Sequence, residues 1–197
     1  MVNALVVHCH PCPDSLTAAA RDRVLEALRA GGHPVELIDL HADGFDPRLT
    51  AFEHGQHRAS ADTKPSLAIV AEQLRRCDLL VLVYPTWWGG QPAMLKGWFE
   101  RVWVNDIASR VRTDGRPPTP LLTNIRRIVA VTTHGSSKWL NSLEGEPGKR
   151  FLERALRASV GTRCRVEWLA LYGIDRSDES ERRRFLDRVS RRFARIS

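Results

Sequence analysis

Cysteine is scarce in this chain, and its scarcity excludes a fold held together by disulfides. The 197 residues contain four cysteines. They are Cys9, Cys12, Cys77 and Cys164. Because 43% of the residues are hydrophobic, the chain can bury a core of its own without a disulfide scaffold. We therefore expect reduced thiols.

Long hydrophobic runs are also lacking, and no secretory signal is expected. Apolar stretches such as Leu79 to Val83 are far shorter than the roughly 20 residues that a membrane-spanning helix needs. The N-terminus runs straight into Val2 to Val7 without a basic segment or a small-residue cleavage site. These features predict a cytoplasmic protein.

The chain is basic, with a formal net charge of +7 that comes mainly from arginine. A basic balance is also found in nucleic-acid-binding proteins, where the positive residues cluster on one face. In the C-terminal part, however, acidic residues such as Glu167, Asp178 and Glu181 are interleaved with the arginines. This pattern favours a solvated helix surface, so no nucleic-acid partner is expected.

The chain has no internal repeat or linker and alternates between short apolar runs and longer amphipathic ones. The apolar runs predict buried parallel strands at Ala4 to Cys9, Val35 to Asp39, Leu79 to Tyr84, Ile128 to Thr132 and Arg165 to Leu171. The amphipathic runs predict helices at Ser15 to Ala30, Ser66 to Arg76, Pro92 to Val104, Gly148 to Ala158 and Glu179 to Arg195. This alternation predicts one α/β domain over residues 1–197, an open doubly wound sheet with helices on both faces.

Ligands of such sheets bind beyond the carboxyl ends of the strands, near the point where the strand order reverses. This rule selects three loops for a binding site: His10 to Thr17, Pro85 to Gln91 and Thr132 to Gly135. Two longer segments, Ala42 to Pro65 and Asn105 to Asn124, are rich in proline, glycine and polar residues. We predict that both are irregular.

The first loop leads into a helix and is suited to binding a phosphate. Free N–H groups and the hydroxyls of Ser15 and Thr17 converge there at the positive end of the helix. The local residues leave a second interpretation equally open, in which Ser15 is only an N-cap. The loop lacks the glycine patterns of dinucleotide folds and P-loops.

The same loop contains a C-x-x-C pair, Cys9 and Cys12, so dithiol redox chemistry is an alternative function. Cys9 closes an apolar strand and Pro13 follows the pair, and both features disfavour a reactive dithiol. A metal site that adds His8 and His10 to these cysteines is disfavoured too. Alternate strand residues point to opposite faces, and the sequence has no second cluster of ligands.

The second loop places two tryptophans, Trp87 and Trp88, directly after a buried strand. Gly89 and Gly90 follow them and let the backbone approach a ligand closely. Large flat side chains in a glycine-rich turn are also found in cores and dimer interfaces. Here they favour a wall that faces a ligand.

The segment from Tyr84 to Trp103, YPTWWGGQPAMLKGWFERVW, resembles the central segment of the flavodoxin-like NAD(P)H quinone oxidoreductase family. Similar features lie in His10 to Ser15, in Asp39-Leu40 with Phe45-Asp46-Pro47, and in Thr132-Thr133. The resemblance spans most of the chain. It implies a flavodoxin-like fold and an enzyme that passes hydride from NADH or NADPH to a bound flavin, and then electrons to a quinone or similar acceptor.

The implied flavin is FAD or FMN, with FAD slightly favoured. The residues that would bind it are His10, Ser15, Leu16, Thr17, Pro85, Thr86, Trp87, Trp88, Gly89, Thr132, Thr133, His134 and Gly135. In the family, the first loop holds the flavin phosphate, the second lines the isoalloxazine ring, and the third holds the pyrimidine side of that ring.

The chain departs from its relatives at positions that bear on catalysis. Where relatives have two glycines after the threonine pair, this chain has His134 and then Gly135, and the imidazole either donates a hydrogen bond to the flavin or lies on the surface. The tyrosine and histidine that relay a proton in mammalian members fall, by spacing, near Leu140 and Glu146, so the resemblance does not carry that relay over to this chain. The catalytic candidates are therefore His134 and Trp139. Of these two, Trp139 can cover the site.

Two further departures concern the ligands. Leu16-Thr17 replaces the Phe-Asn of relatives, which keeps a hydroxyl but removes an aromatic ring and an amide. Ser109 stands where many relatives have an aromatic residue, so the identity of the acceptor is left open.

The resemblance also implies a homodimer in which the partner chain completes the pocket, and exposed tryptophans are suited to such an interface. A second hypothesis is a binding role as the regulatory subunit of a membrane transporter. In that role the basic surface would associate peripherally with acidic charge on the partner or on lipid.

Overall fold

The computed structural model describes residues 1–55 and 67–196. The strands of this described part are β1 Ala4–His8, β2 Val35–Asp39, β3 Leu79–Thr86, β4 Ser109–Arg110, β5 Thr119–Pro120, β6 Arg127–His134 and β7 Arg165–Tyr172. Five of them form one sheet in the order β2-β1-β3-β6-β7. All four pairings within the large sheet are parallel. The predicted flavodoxin-like doubly wound sheet is confirmed, and its strand order reverses between β1 and β3.

Helices cover both faces of the sheet. They are α1 Leu16–Ala30, α2 Ala51–Gly55, α3 Ala68–Arg76, α4 Ala93–Val102, α5 Lys138–Leu143, α6 Pro147–Arg150, α7 Arg157–Val160 and α8 Glu179–Phe193. A π-helical turn, Phe151–Leu156, joins α6 to α7, and a short 3-10 turn, Ile174–Arg176, follows β7. Within the described part of the chain, no helix is long and apolar enough to cross a membrane.

Two hydrophobic cores lie on opposite faces of the sheet because successive strand side chains point to opposite sides. Leu5 and Val7 of β1 belong to the core that contains Trp98 of α4. Val6 lies between them in sequence and belongs to the second core, with Phe185 of α8. The near-continuous apolar strands of the sequence are thus buried on both faces, as predicted.

The longest helices begin where their caps predict. The Ser15 hydroxyl accepts a hydrogen bond from the N–H of Ala18 at 3.1 Å, and α1 ends at Gly31. Asp178 and Glu181 form a reciprocal capping box at the start of α8. Ser66, the start of the second predicted helix, lies outside the described residues.

Several predicted boundaries were wrong. Strands β3 and β6 continue to Thr86 and His134, residues that the sequence placed in loops, because the two strands remain paired in register up to these positions. The segment predicted as irregular from Asn105 to Asn124 contains the antiparallel pair β4 and β5, and Ala42 to Pro65 contains α2. The helix predicted from Gly148 to Ala158 is interrupted by the π-helical turn, and α5 was missed.

Gly97 lets α4 lie directly against the chain at Pro47. A Cβ atom built at Gly97 would lie 2.7 Å from the Cα of Pro47, closer than such atoms come in proteins. Because the obstacle is backbone, no side-chain rotation can relieve the overlap. The position of the segment before α2 therefore depends on a glycine in the middle of a helix.

We expect Gly97→Ala to lower the free energy of unfolding by about 2 kcal/mol, measured by urea denaturation. Over-packing outweighs the roughly 1 kcal/mol that alanine contributes to helix stability. Lys96→Ala changes an exposed neighbour on the same helix and is the control, with an expected effect below about 0.5 kcal/mol. Unchanged or higher stability of Gly97→Ala would show that the Pro47 segment moves aside freely.

Candidate functional site

The carboxyl ends of β1, β3 and β6 open into one groove. It encloses a cavity of about 570 Å³. The lining residues that the sequence predicted are His10, Ser15, Leu16, Thr17, Pro85, Thr86, Trp87, Trp88, Thr133 and Gly135. Ser136, Ile174 and Asp175 also line it and were not predicted. All three selected loops therefore contribute to a single site.

A second cavity of about 500 Å³ adjoins the first and shares Thr86, Trp88, Gly135 and Ser136 with it. Gly89 and His134, two predicted site residues, line only this second cavity. Two other predicted residues line neither cavity. Thr132 is buried beneath the groove, and Trp139 lies on α5 with an exposed ring.

One end of the groove presents hydrogen-bond donors. Nδ1 of His10 lies 3.0 Å from the backbone nitrogen and 3.2 Å from the carbonyl oxygen of Cys12, which fixes the position of the ring at this end of the groove. Burial lowers the pKa of His10, which favours the neutral ring. The N–H groups of Leu16 and Thr17 lie in the first turn of α1, where no carbonyl of the helix is placed to accept from them. Together with the helix dipole, these donors are suited to binding a phosphate.

The second wall is a tight turn that presents two tryptophans. The backbones of Trp87 and Gly90 exchange two hydrogen bonds of 3.1 Å. Trp88 and Gly89 at the tip have φ angles of 50° and 72°, and the Trp88 ring is fully exposed. A bulky residue rarely adopts a positive φ, and such strain is concentrated at functional sites.

The strained turn is fixed to α6. The carbonyl of Gly89 accepts a hydrogen bond from the N–H of Gly148 at 3.0 Å, and the side chain of Gln91 donates to the carbonyl of Gly148 at 3.0 Å. Because one bond holds the tip of the turn and the other holds the residue that follows it, the tryptophans are presented by a rigid support.

The floor of the groove is narrow at Gly135. A Cβ atom at this position would lie 2.8 Å from a carboxylate oxygen of Asp175. A side chain at this position would therefore compete with the Asp175 carboxylate for the space between β6 and the turn after β7. Glycine leaves the Asp175 carboxylate as a hydrogen-bond acceptor beside a ligand.

His134 is buried at the end of β6, so the interpretation as a surface histidine was wrong. Its Nδ1 lies 2.7 Å from Oδ1 of Asn141, and its Nε2 lies 3.3 Å from the hydroxyl of Thr86. The ring stacks on Tyr172 with 4.4 Å between centroids. Burial lowers the pKa of His134, and the hydrogen bond to Asn141 and the charge of Glu146 oppose this shift.

The arrangement of the cysteines disfavours thiol chemistry. Cys9 is fully buried, and burial raises its pKa to about 12, whereas a redox dithiol requires an accessible thiolate. Cys12 is exposed and free. Over residues 1–55 and 67–196, no group of three or more histidine, cysteine or acidic side chains is arranged to hold a metal ion.

The site residues that the sequence analysis missed belong to two kinds. Ile174 and Asp175 come directly after β7, and the strand-end rule that selected the other loops also applies to that strand. Asn141, Tyr172 and the carboxylate of Glu146 surround His134 from three different elements. The sequence spacing of these residues does not indicate that they contact one another, because the contacts depend on the packing of α5 and β7 against β6.

A family model described as having a flavodoxin-like fold matches residues 2–194. NAD(P)H dehydrogenase [quinone] 1 of Rattus norvegicus is 34% identical over 163 residues, which are 74% of this chain and 58% of the rat protein. The chain thus spans less than two thirds of the length of this relative.

Solved structures extend the similarity to the whole chain. NAD(P)H:quinone oxidoreductase from Methanothermobacter marburgensis superposes with a TM-score of 0.82 at 24% identity, over 98% of this chain and 94% of that one. An FMN-dependent NADH-azoreductase of Bacillus anthracis in complex with FMN has a TM-score of 0.78 at 15% identity, over 99% of each chain. The fold, the family model and the relative agree, and the chain belongs to the flavodoxin-like NAD(P)H quinone oxidoreductase family.

Proposed function

We propose that this protein is a flavin-dependent oxidoreductase that takes electrons from NADH or NADPH and passes them to a quinone or similar acceptor. One observation carries the proposal: a phosphate-binding loop, an aromatic turn and the end of β6 meet in one groove. The names of the rat and archaeal relatives agree with this activity. They give no support to a transporter subunit or a dithiol protein.

The donors at the start of α1 would hold the flavin phosphate. Leu16 and Thr17 supply backbone N–H groups, and the imidazole of His10 lines the same end of the groove. A positive helix end and uncharged donors stabilise an anion without a lysine or arginine. The Ser15 hydroxyl already caps the helix, and its oxygen can do so while its hydrogen points to the phosphate.

The middle of the groove is suited to a flat ring system. Pro85 to Trp88 form one wall, and Gly135 keeps the opposite wall open near the Asp175 carboxylate. A bound flavin supplies the hydride acceptor and two-electron donor that the side chains lack. The groove would hold the part of the cofactor that FMN and FAD have in common, so it does not distinguish between the two. The sequence slightly favours FAD, and the Bacillus anthracis relative was solved with FMN.

The chain's own residues would position the substrates and exclude water. The second cavity, beside Trp88 and Gly89, adjoins the flavin groove and can receive nicotinamide and acceptor in turn. We assign His134 to the stabilisation of negative charge in the groove and Trp139 to the covering of the site. The predicted cytoplasmic location stays a prediction.

Purified protein should be yellow and should oxidise NADH or NADPH faster when menadione is added. Extraction of the cofactor and subsequent chromatography identify FMN or FAD. A colourless protein that binds neither flavin would contradict the proposal.

Gly135→Val should weaken flavin binding at least tenfold, a loss of about 1.4 kcal/mol, because the added methyl groups enter the floor of the groove. Fluorescence quenching of added flavin measures the affinity. Gly55→Val is the matched control, since a Cβ at Gly55 meets nothing within 4 Å. Equal affinities of the two variants would exclude the groove as the flavin site.

We further propose a homodimer in which the partner covers the groove. Trp88, Trp139 and Leu143 expose 105%, 73% and 70% of their surface beside the two cavities. Large exposed apolar side chains that adjoin a site are typical of protein interfaces. A partner chain seated on them would exclude water from the groove.

Leu143→Glu should shift the protein from dimer to monomer in sedimentation velocity, because a carboxylate cannot be desolvated at the centre of an apolar interface. Ile69→Glu places the same charge at an exposed apolar residue on α3 that lines neither cavity, and it should leave the dimer intact. A monomeric wild-type protein at micromolar concentration would contradict the dimer.

A further inference from the structure

The His134 ring is held in one plane by residues outside the flavin groove. Tyr172 stacks against it at 4.4 Å and 23°, and the Tyr172 hydroxyl donates to a carboxylate oxygen of Glu146 at 2.8 Å. Burial and this bond raise the pKa of Tyr172 to about 12, so the hydroxyl keeps its proton. Trp168 donates to the same hydroxyl oxygen at 3.2 Å. The stack therefore cannot rotate without breaking both bonds.

Asn141 determines which nitrogen of His134 carries the proton. Its side-chain nitrogen donates to the carbonyls of Ser137 and Ser136 at 2.8 and 3.3 Å, which fixes the orientation of the amide. The amide oxygen therefore faces Nδ1 of His134 at 2.7 Å, and an amide oxygen only accepts. Nδ1 must be the protonated nitrogen, and Nε2 has a free lone pair in the neutral ring.

That lone pair faces a hydroxyl that opens to the groove. Thr86 Oγ1 lies 3.3 Å from Nε2 and 2.9 Å from the hydroxyl of Thr132. The Thr86 hydroxyl therefore donates to Nε2 and can accept from Thr132. Thr86 lines both cavities, whereas Thr132 lines neither. His134 thus reaches the flavin groove through Thr86, in contrast to the direct contact that the sequence suggested.

We propose that Thr86, His134 and Asn141 form a proton relay that serves the flavin groove. In the resting relay, Thr86 donates to a neutral His134. When Nε2 takes a proton from a hydronium ion of the solvent that reaches the second cavity, a water molecule is left and the bond reverses: Nε2–H donates to Thr86 Oγ1, and the Thr86 hydroxyl turns into the groove. There the hydroxyl gives its proton to the negative charge that hydride transfer brings, Oγ1 takes the Nε2 proton in the same step, and His134 returns to the neutral form.

Asn141 is a positioning residue in this scheme, because its oxygen accepts from Nδ1 in both states. The inference rests on the proposed function, which supplies the negative charge. It also gives the groove a proton donor although the relay residues of the family are not expected in this chain. Here an imidazole and a hydroxyl come from β6 and β3.

The charges around His134 set when the relay takes up its proton. Glu146 acts from beyond Tyr172, where Lys149 lies 3.4 Å from its carboxylate and weakens its field. Glu144 lines the second cavity, and Asp175 lies beside Gly135. Burial lowers the pKa of His134. The ring is therefore neutral at rest near pH 7, and new negative charge in the groove draws a proton to it.

The tautomer can be tested in the protein without added ligand. Two-dimensional 1H–15N spectra of the histidine rings between pH 6 and 9 should show His134 protonated at Nδ1 and not at Nε2. Asn141→Ala removes the acceptor and should populate both tautomers, whereas Ser142→Ala, an exposed neighbour on α5, should leave the spectrum unchanged. A wild-type His134 protonated at Nε2 would overturn the relay.

The transfer can be tested with the holoenzyme. Thr86→Val should keep the Nδ1–H tautomer, lower kcat about 100-fold and remove the His134 inflection from its pH profile, and Thr86→Ser should restore both. A Thr86→Val enzyme with wild-type kcat and pH profile would overturn the relay alone. A wild-type protein that binds no flavin would overturn the proposed function, and the relay with it.

Discussion

The parallel pairing of β3 with β6 is the constraint on which the site depends. The two strands stay in register for eight pairs, and the last pair joins Thr86 to His134. Because both strands are buried on both faces, neither can slip by one residue without turning its apolar side chains to the wrong side. The hydroxyl and the imidazole therefore meet at the groove floor, and the tryptophan turn begins one residue later.

The turn after β3 shows how the fold holds a strained backbone at the site. A tryptophan with φ of 50° costs on the order of 1–3 kcal/mol and persists only when its surroundings determine it. Two sets of hydrogen bonds hold this conformation in place. One joins the backbones of Trp87 and Gly90, and the other joins Gly89 and the side chain of Gln91 to Gly148. The beginning of α6 thus supports the site from behind, and its first residue, Pro147, lines the second cavity.

Local patterns in the sequence were enough to predict the sheet and most of the groove. The apolar runs located all five strands of the sheet, Ser15 was placed correctly as a helix cap, and the strand-end rule selected three loops that share one groove. The continuation of β3 and β6 was missed, because polar residues such as Thr86 and His134 indicate a loop when their partners are unknown. Asn141 and Tyr172 were missed as well, since their contacts with His134 arise only when α5 and β7 pack beside β6.

The absence of the family's tyrosine and histidine shows why a site must be recognised by geometry. The spacing in the sequence places these positions near Leu140 and Glu146, and on that ground no proton relay is expected from the sequence. In the fold, Glu146 accepts from the hydroxyl of Tyr172, and Tyr172 stacks on His134. A tyrosine, an acid and a histidine are thus assembled from different elements. The hydroxyl that reaches the groove is that of Thr86, because Tyr172 is engaged behind the ring. Proton transfer requires short distances and correctly oriented donors. A fold can meet both requirements with residues at other sequence positions than those used by its relatives.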